Sequence, residues 1–202
     1  MIVGLCGSIG NGKGSVADIL VNKHGFMKES FANPVKDAVS IIFGWDRDLL
    51  EGETVQSRVY REQPDTYWSN AFNKEFTPRM ALQLMGTEAG RDTFHPDLWI
   101  HALHKRCSPD KNYVIADVRF PNEIKSIMAN GGKVYRIKRG ENPKWYETAL
   151  DSNLNNNPLM AEKYPEVHYS EWAWVGSELN GIIENNGTIE DLEKRVSYIL
   201  NF

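Results

Sequence analysis

The residues with the clearest chemistry in this chain are Gly7, Gly12 and Lys13, which fit the pattern Gly-x-x-x-x-Gly-Lys. In such a loop, glycines let the chain bend so that successive backbone N–H groups point inward around a phosphate. The lysine adds positive charge, and the helix that follows directs its positive N-terminal end at the same anion. A hydroxyl that helps to hold magnesium normally follows the lysine directly, whereas here Gly14 comes next and Ser15 supplies the hydroxyl. The spacing therefore predicts binding of a nucleoside triphosphate with Mg²⁺.

The loop and the start of the next helix supply the predicted contacts to ATP: Gly10, Asn11, Gly12, Lys13, Gly14, Ser15 and Val16. The alternative interpretation is a glycine-rich turn with an exposed lysine. The surrounding sequence disfavours that alternative, because an apolar run of strand length precedes the loop and a helical pattern follows it, as the motif requires.

A carboxylate follows a second apolar segment, at residues 113–117, whose continuous apolar character predicts a buried parallel strand. Asp117 at its end could hold Mg²⁺ directly or through water, so Ser15 and Asp117 are the predicted metal ligands. A helix-capping or ion-paired aspartate is the alternative. No glutamate follows Asp117 directly to orient an attacking water, which favours transfer to an organic acceptor over hydrolysis.

Phosphoryl transfer also needs cations, because guanidinium groups bind phosphate oxygens through two hydrogen bonds. Arg119 lies two residues beyond Asp117, and Arg136 and Arg139 lie at the end of another predicted strand. These arginines, together with Lys13, are the predicted catalytic residues.

The middle of the chain supplies candidates for recognition of a second substrate. Arg79 and Arg91 flank Gln83, whose amide could form hydrogen bonds with the edge of a base. Trp68 and Trp99 could stack on a base, although the apolar helix face around Trp99 favours core packing.

The sequence alone indicates no metal site formed by histidines. His101 and His104 could pair on one helix, but no third ligand accompanies them. A zinc site is therefore not expected.

Composition restricts the class of protein. A chain of 202 residues, 41% hydrophobic, can form one domain with a sizeable core. A net charge of −4 with interspersed signs disfavours binding to nucleic acid or to a membrane surface. Two cysteines make no disulfide framework, and neither a signal peptide nor a membrane-spanning run is evident. We therefore expect a cytoplasmic protein.

The elements that position these residues alternate between strand and helix. Five strands are predicted, near residues 2–6, 26–31, 113–117, 134–137 and 182–183. This alternation predicts an α/β fold with a parallel sheet, in which ligands bind at the carboxyl ends of the strands. Helix boundaries are predicted at Gly25, Asn33, Gly44, Gly86 and Gly90. Thr188 is predicted to cap the last helix together with Asp191. Residues 45–76 and 140–180 lack periodicity, and the second stretch is long enough to be a lid.

Several segments resemble one family. The loop form Gly-x-x-Gly-x-Gly-Lys-Gly-Ser resembles that of nucleoside monophosphate kinases. Four further segments together resemble the deoxynucleoside monophosphate kinases of bacteriophages: Ser30-Phe-Ala-x-Pro-x-Lys36, Leu82-Gln-x-x-Gly-Thr-Glu-x-Gly-Arg91, Asp117-Val-Arg-Phe-Pro-Asn-Glu123 and Asn186-Gly-Thr-x-x-x-Leu192. The resemblance covers nearly the whole chain and is weakest at residues 45–70 and 140–175.

The resemblance implies a three-layer phosphate-loop kinase fold over residues 1–202, with an acceptor-binding helical region at about 32–110 and a lid at about 140–175. It implies transfer of the γ-phosphoryl group of ATP, with Mg²⁺, to a deoxynucleoside 5′-monophosphate. The predicted monophosphate contacts are Phe31, Lys36, Trp68, Arg79, Gln83, Arg91, Asp92, Trp99, Asp117 and Arg119. Small nucleotides would be the partners of a monomer or homodimer, in the host cytoplasm if the source is a phage.

Two other functions stay open at this level. One is a phosphate-loop kinase for another small molecule, such as dephospho-coenzyme A. The other is a non-catalytic switch protein that depends on a bound nucleotide. A kinase accelerates only with the right acceptor, whereas a switch protein shows slow turnover that is independent of any acceptor.

Overall fold

A computed structural model describes residues 1–200, which divide into two compact units. The first unit, residues 1–30 and 107–200, contains a β-sheet, and the second, residues 31–106, is helical. Within residues 1–200, no helix is both long enough and apolar enough to cross a membrane.

The first unit is built on a parallel sheet, which has five strands within residues 1–200. The strands are β1 (Ile2–Cys6), β2 (Met27–Glu29), β3 (Tyr113–Ile115), β4 (Lys133–Lys138) and β5 (Gly181–Glu184). Their order is β2-β3-β1-β4-β5, and every pair of neighbours is parallel. Because β1 is central, Val3 pairs with Val114 on one side and with Lys133 on the other. The predicted α/β class and parallel sheet are confirmed.

Helices cover both faces of this sheet. The helices of the first unit are α1 (Lys13–His24), α7 (Pro121–Ala129), α8 (Tyr146–Asn155), α9 (Leu159–Lys163), α10 (Tyr169–Trp172) and α11 (Ile189–Leu200). Leu20 of α1 and Val196 of α11 are fully buried in one core cluster with Leu5 and Ile137 of the sheet. On the other face, a side chain at Gly4 would come within 2.8 Å of Ile127 in α7, so glycine allows this close packing. The unit therefore has three layers.

Predicted helix ends agree with the structure at three places. Gly25 and Gly44 end α1 and the next helix with positive φ angles of 69° and 72°, which glycine adopts without strain. The Asp191 carboxylate accepts the backbone N–H of Thr188 at 3.1 Å, which forms the predicted cap of α11. Asn33 differs from the prediction, because it lies inside its helix and Ala32 precedes it as the cap.

The stretch at residues 140–180 is more ordered than its sequence indicated, because α8, α9 and α10 lie within it. Ala149 of α8, Met160 of α9 and Trp174, just beyond α10, are buried anchors, each at most 2% exposed. The Asn153 amide donates to the carbonyl of Val175 at 2.8 Å and so joins α8 to the chain beyond α10. Isolated small and aromatic anchors produce no 3.6-residue repeat, which is why periodicity did not reveal these helices.

The second unit contains α2 (Asn33–Phe43), α3 (Val55–Glu62), α4 (Thr66–Phe72), α5 (Pro78–Leu84) and α6 (Leu98–Arg106). A short 3₁₀ helix at Asp48–Leu50 and the helices α3 and α4 occupy the stretch that lacked periodicity. Side-chain caps define their starts: Thr54 accepts the N–H of Ser57 at 3.1 Å, and Asp65 accepts that of Trp68 at 2.9 Å. Aromatic packing then holds this unit together, with Phe43 stacked on Trp45 at 4.7 Å between ring centroids.

The predicted breaks at Gly86 and Gly90 are wrong. A π-helix, Met85–Phe94, continues directly from α5 through both glycines. Trp99 packs on this segment, and its indole Nε1 donates to the carbonyl of Gly86 at 2.8 Å. Its ring also occupies the space that a side chain at Gly90 would need. Gly90 therefore permits close approach of the indole, whereas a side chain at Gly86 would make only an ordinary contact with Val35.

Candidate functional site

The loop between β1 and α1 has a backbone that only glycine adopts readily. Gly7, Gly10 and Gly12 have φ angles of 130°, 82° and 92°. Space is restricted as well, because a side chain at Gly7 would overlap the carbonyl oxygen of Ile137, and one at Gly12 would overlap the amide of Asn185. The sequence pattern thus corresponds to a closely curved loop at the carboxyl end of the central strand.

Two asparagines fasten this loop to neighbouring strand ends. The Asn11 amide donates to the carbonyl of Ile137 in β4 at 3.0 Å. The Asn185 amide, just beyond β5, donates to the carbonyl of Asn11 at 2.9 Å. The loop is therefore held in shape by the protein itself. The local sequence does not reveal the contact of Asn185, because the pairing spans 174 residues.

Lys13 lies within this curve and bonds to the loop's own backbone. Its Nζ donates to the carbonyls of Gly7 at 2.7 Å and Ser8 at 3.0 Å. Burial, and then the positive charge of Arg119, hold the pKa of Lys13 below its usual value. An anion at this position would raise the pKa of Lys13 again, since its negative charge would stabilise the charged lysine and lie beside both cations.

Ser8 is a loop residue that the sequence analysis missed. Its side-chain Oγ is buried and has no hydrogen-bond partner within residues 1–200. Buried polar atoms are normally paired, so this one indicates a missing acceptor or donor at the loop. The orphaned hydroxyl and the inward curve fit a bound phosphate chain.

The predicted metal ligands, Ser15 and Asp117, are both in the first unit. Ser15 is exposed on the first turn of α1, and Asp117 lies two residues beyond β3. One carboxylate oxygen of Asp117 accepts the hydroxyl of Ser30 at 2.6 Å. Asp117 is also close enough to Lys13 to raise the lysine's pKa against the effect of burial. Hydroxyl and carboxylate oxygens are ligands that Mg²⁺ favours, so the residue types fit this ion.

Arg119 is held in place by two carboxylates. Buried Glu123 accepts the backbone N–H of Arg119 at 2.8 Å and of Phe120 at 3.1 Å, which fixes the turn into α7. The guanidinium donates to the hydroxyl of Ser170 at 3.2 Å and forms an ion pair with Glu171. Arg119 therefore bonds to α10, inside the stretch predicted to be a lid.

Arg136 does not have the environment expected of a catalytic arginine. Its side chain is 5% exposed and lies between the rings of Tyr146 and Trp174, at 4.4 Å and 5.1 Å from their centroids. It also donates to the Tyr146 hydroxyl at 2.8 Å. These contacts make it an anchor between β4 and α8. Arg139, in contrast, is exposed and has no hydrogen bond or ion pair within the described part of the chain.

Three predicted monophosphate contacts of the second unit lie in its interior or pair with neighbouring groups. The Lys36 ammonium is 2.5 Å from a carboxylate oxygen of Glu51. Trp68 donates its indole N–H to the carbonyl of Phe43 at 3.0 Å, and Trp99 is 8% exposed in the core. We therefore leave these three residues out of the proposed site.

The other predicted contacts of this unit have varied surroundings. Phe31 is buried, Gln83 and Asp92 are exposed, and Arg79 forms an exposed ion pair with Glu62. Arg91, at the end of the π-helix, donates to the carbonyl of Pro96 at 3.4 Å. The role of these residues in binding stays a prediction.

One group of potential metal ligands was not found from the sequence, because attention was on the pair His101 and His104. His95, Asp97 and His101 offer ligand atoms that all lie within 4.8 Å of one another. The pair on one helix that the sequence suggested, His101 and His104, is not the relevant one. The spacing His-x-Asp-x-x-x-His was the available signal, and the turn before α6 brings its ends together.

Comparison with known proteins identifies relatives. No protein-family model matches the sequence. A protein of Acanthamoeba polyphaga mimivirus, provisionally named a deoxynucleotide monophosphate kinase, is 33% identical over 192 residues, which cover 83% of this chain and 94% of that protein. The deoxynucleoside-5′-monophosphate kinase of Escherichia phage T5 is 28% identical over 174 residues, 61% of this chain and 70% of the phage enzyme.

Solved structures also align with the chain over most of its length. Shikimate kinase from Aquifex aeolicus aligns at a TM-score of 0.44 and 10% identity, over 100% of this chain and 96% of that one. Dephospho-CoA kinase from Campylobacter jejuni aligns at 0.41 and 13% identity, over 99% and 95%. The sequence relationship is the closer one, and because it extends over nearly the whole mimivirus protein, this chain belongs to the deoxynucleotide monophosphate kinase family.

Proposed function

We propose that the protein is a kinase that transfers the γ-phosphoryl group of ATP to a deoxynucleoside 5′-monophosphate. The products are ADP and the deoxynucleoside diphosphate. The observation that carries this proposal is the curved glycine loop around Lys13, with its orphaned Ser8 hydroxyl, in a chain of this family. The curve of the loop fits a phosphate chain, and the relatives' names indicate the class of acceptor.

In this proposal the first unit binds the donor. The loop amides and Lys13 hold the phosphates of ATP, and Lys13 exchanges its two carbonyl bonds for phosphate oxygens. Ser15 and Asp117 hold Mg²⁺, which when bound neutralises charge on the phosphates. The protein's task is to position the groups and to offset negative charge as the phosphoryl group moves.

The arginines complete the proposed machinery. Arg119 exchanges Glu171 for a phosphate oxygen, and exposed Arg139 supplies a further positive charge near the end of β4. Arg91, with Gln83 and Arg79, belongs to the proposed acceptor-binding region at about 32–110. Arg136 supports this arrangement indirectly, since it anchors the segment that carries Glu171.

Residues 140–175 form the proposed lid. A closed lid excludes water, and a kinase needs this because exposed ATP phosphates would be hydrolysed. Small nucleotides are the proposed partners of a cytoplasmic monomer or homodimer.

A panel of acceptors tests the activity. Purified protein with ATP and Mg²⁺ is mixed with each deoxynucleoside monophosphate, each ribonucleoside monophosphate, dephospho-coenzyme A and no acceptor, and ADP release is measured. The proposal predicts rapid release with at least one deoxynucleoside monophosphate. Acceleration by dephospho-coenzyme A alone, or equal slow release in every sample, would contradict it.

The Lys13→Ala variant tests the donor site. Loss of the main positive charge at the phosphates should lower kcat by ~10³-fold or more. Lys23→Ala is the matched control on the same helix, because Lys23 forms an exposed ion pair with Glu193 that contributes little. If folded Lys13→Ala protein kept more than a tenth of the wild-type rate, the assignment of the loop would be wrong.

A further inference from the structure

A group of metal-ligating side chains lies in the second unit, and the kinase activity proposed above does not use it. His95 and Asp97 belong to the turn that precedes α6, and His101 lies on that helix. Their ligand atoms are all within 4.8 Å of one another, and the two imidazole centroids are 5.8 Å apart. Three residues from a seven-residue segment thus converge on one point.

The backbone brings these residues together before any ligand is present. The N–H of Leu98 donates to the carbonyl of His95 at 2.9 Å, and the N–H of His101 donates to that of Asp97 at 3.0 Å. These bonds are part of the start of α6, so the chain does not have to fold around an ion. Both imidazoles are exposed, which leaves their rings free to rotate by the small amount that coordination requires.

The donor set indicates which ions would bind. Two imidazole nitrogens and one carboxylate oxygen suit zinc and other divalent transition metals, whereas Mg²⁺ and Ca²⁺ require mainly oxygen ligands. Three protein ligands also leave a fourth tetrahedral position for water. We propose that His95, Asp97 and His101 form a binding site for a divalent transition-metal cation such as Zn²⁺, separate from the magnesium that accompanies ATP.

Two neighbouring interactions oppose the binding of a cation. The Nδ1 atom of His95 accepts the backbone N–H of Asp97 at 3.0 Å, and a metal ion competes with this bond. The guanidinium of Arg91 donates to the carbonyl of Pro96, which brings positive charge to the same turn. The Asp97 carboxylate supplies the negative charge of the cluster, so the site depends on it.

Bound metal would join the turn after the π-helix to the first turns of α6. A ligand that binds the folded chain and not the unfolded chain raises the unfolding temperature. The proposal therefore predicts a binding signal and a stability signal, and neither depends on kinase activity.

Co²⁺ and Zn²⁺ are the probes. Protein freed of metal by a chelator is titrated with Co²⁺, whose visible absorption reports nitrogen and oxygen coordination, and Zn²⁺ is then added to displace it. We expect one equivalent per chain and a rise in unfolding temperature with Zn²⁺. His101→Ala should weaken binding by at least about tenfold, as should Asp97→Asn. His168→Ala, which removes an exposed histidine outside the cluster, should bind like the wild type.

His101→Ala is the decisive variant because it leaves the bond between His95 and Asp97 intact, so the turn before α6 keeps its hydrogen bond. Equal metal binding by wild type and His101→Ala would overturn the proposal. Equal weakening by His168→Ala would also overturn it, since binding would then be a general property of surface histidines. Titration with inorganic phosphate tests whether the cluster binds an anion instead. If phosphate binds and Asp97→Asn strengthens that binding, the cluster is an anion site and the proposed cation site is wrong.

Discussion

At the scale of single residues, the candidate site keeps its cations bonded to its own atoms. Lys13 donates to two loop carbonyls, and Arg119 pairs with Glu171 while Glu123 fixes its backbone. Side chains held in this way are partly preorganised, because their approach to the site does not depend on a search among many rotamers. Each must nevertheless give up a partner when substrate arrives.

Arg119→Ala separates the acceptor from the donor. Loss of a guanidinium–phosphate contact in a partly desolvated site should cost roughly 2–4 kcal/mol, seen as a higher KM for the monophosphate, a lower kcat, or both. Affinity for ATP, titrated without acceptor, should change little, because in the proposed function the loop and Lys13 hold the triphosphate. Arg195→Ala, at an exposed position of α11, is the control. A loss of ATP affinity with an unchanged dependence on monophosphate would show that Arg119 serves the donor instead.

At the scale of elements, the stretch from α8 to α10 has buried packing contacts around Arg136 and an exposed ion pair with Arg119. Trp174 and Tyr146 enclose Arg136 of β4, which is an attachment made of buried rings and a buried charge. Glu171 in α10, three residues before Trp174, meets Arg119 with both side chains partly exposed. An exposed ion pair of this kind contributes little to stability, so it can open while the buried contacts of Trp174 remain.

Amide exchange tests the proposed lid at residues 140–175. In the free protein, residues 140–175 should exchange faster than α1, and a bisubstrate analogue that joins ATP to a deoxynucleoside monophosphate should slow them. The slowing should be greatest around α10 and least near buried Ala149, which is already anchored. Exchange in this stretch that is the same with and without the analogue would show that it is not a lid.

At the scale of the whole molecule, stability should depend on a charge network in the second unit. Glu51 accepts a hydrogen bond from Lys36 at 2.5 Å and another from Arg47, and Asp37 accepts bonds from Arg47 and Arg106 at 2.7 Å and 2.8 Å. Burial alone would raise the pKa of Glu51, but these cations outweigh it and hold the pKa below its usual value. The Glu51 carboxylate therefore favours the folded chain at neutral pH.

Glu51→Gln should lower the free energy of unfolding by about 1 kcal/mol at pH 7, a value reduced for solvent screening because the group is partly exposed. The folded pKa is depressed, so this contribution is present above the unfolded pKa of about 4.3 and disappears as the pH falls through the folded value. Denaturant unfolding at pH 7 and below pH 4 measures the difference. Glu75→Gln, at an exposed position, is the control. A difference that persists unchanged in acid would rule out this electrostatic origin.

The sequence was sufficient for the sheet and the loop, because both depend on local patterns. Short segments between turn and helix signals, most of them apolar, located the five strands within residues 1–200, and the glycine spacing located the curve around Lys13. Contacts between distant residues were not available in the same way. Nothing in the local sequence indicates that Arg119 pairs with Glu171, 52 residues later, or that Arg136 lies between two rings. An arginine at a strand end looks the same whether it is a ligand or an anchor.

The carbonyl bonds of Lys13 also affect competition among anions in a cell. Any anion that occupies the loop must replace the bonds to Gly7 and Ser8, and each bond to a charged group contributes about 1.5–3 kcal/mol. An inorganic phosphate ion has few oxygens with which to satisfy the lysine, the loop amides and the Ser8 hydroxyl together. A triphosphate chain has enough to satisfy all of them. Free phosphate should therefore compete weakly for the loop, so that in the proposed kinase the loop is available to ATP even where phosphate is abundant.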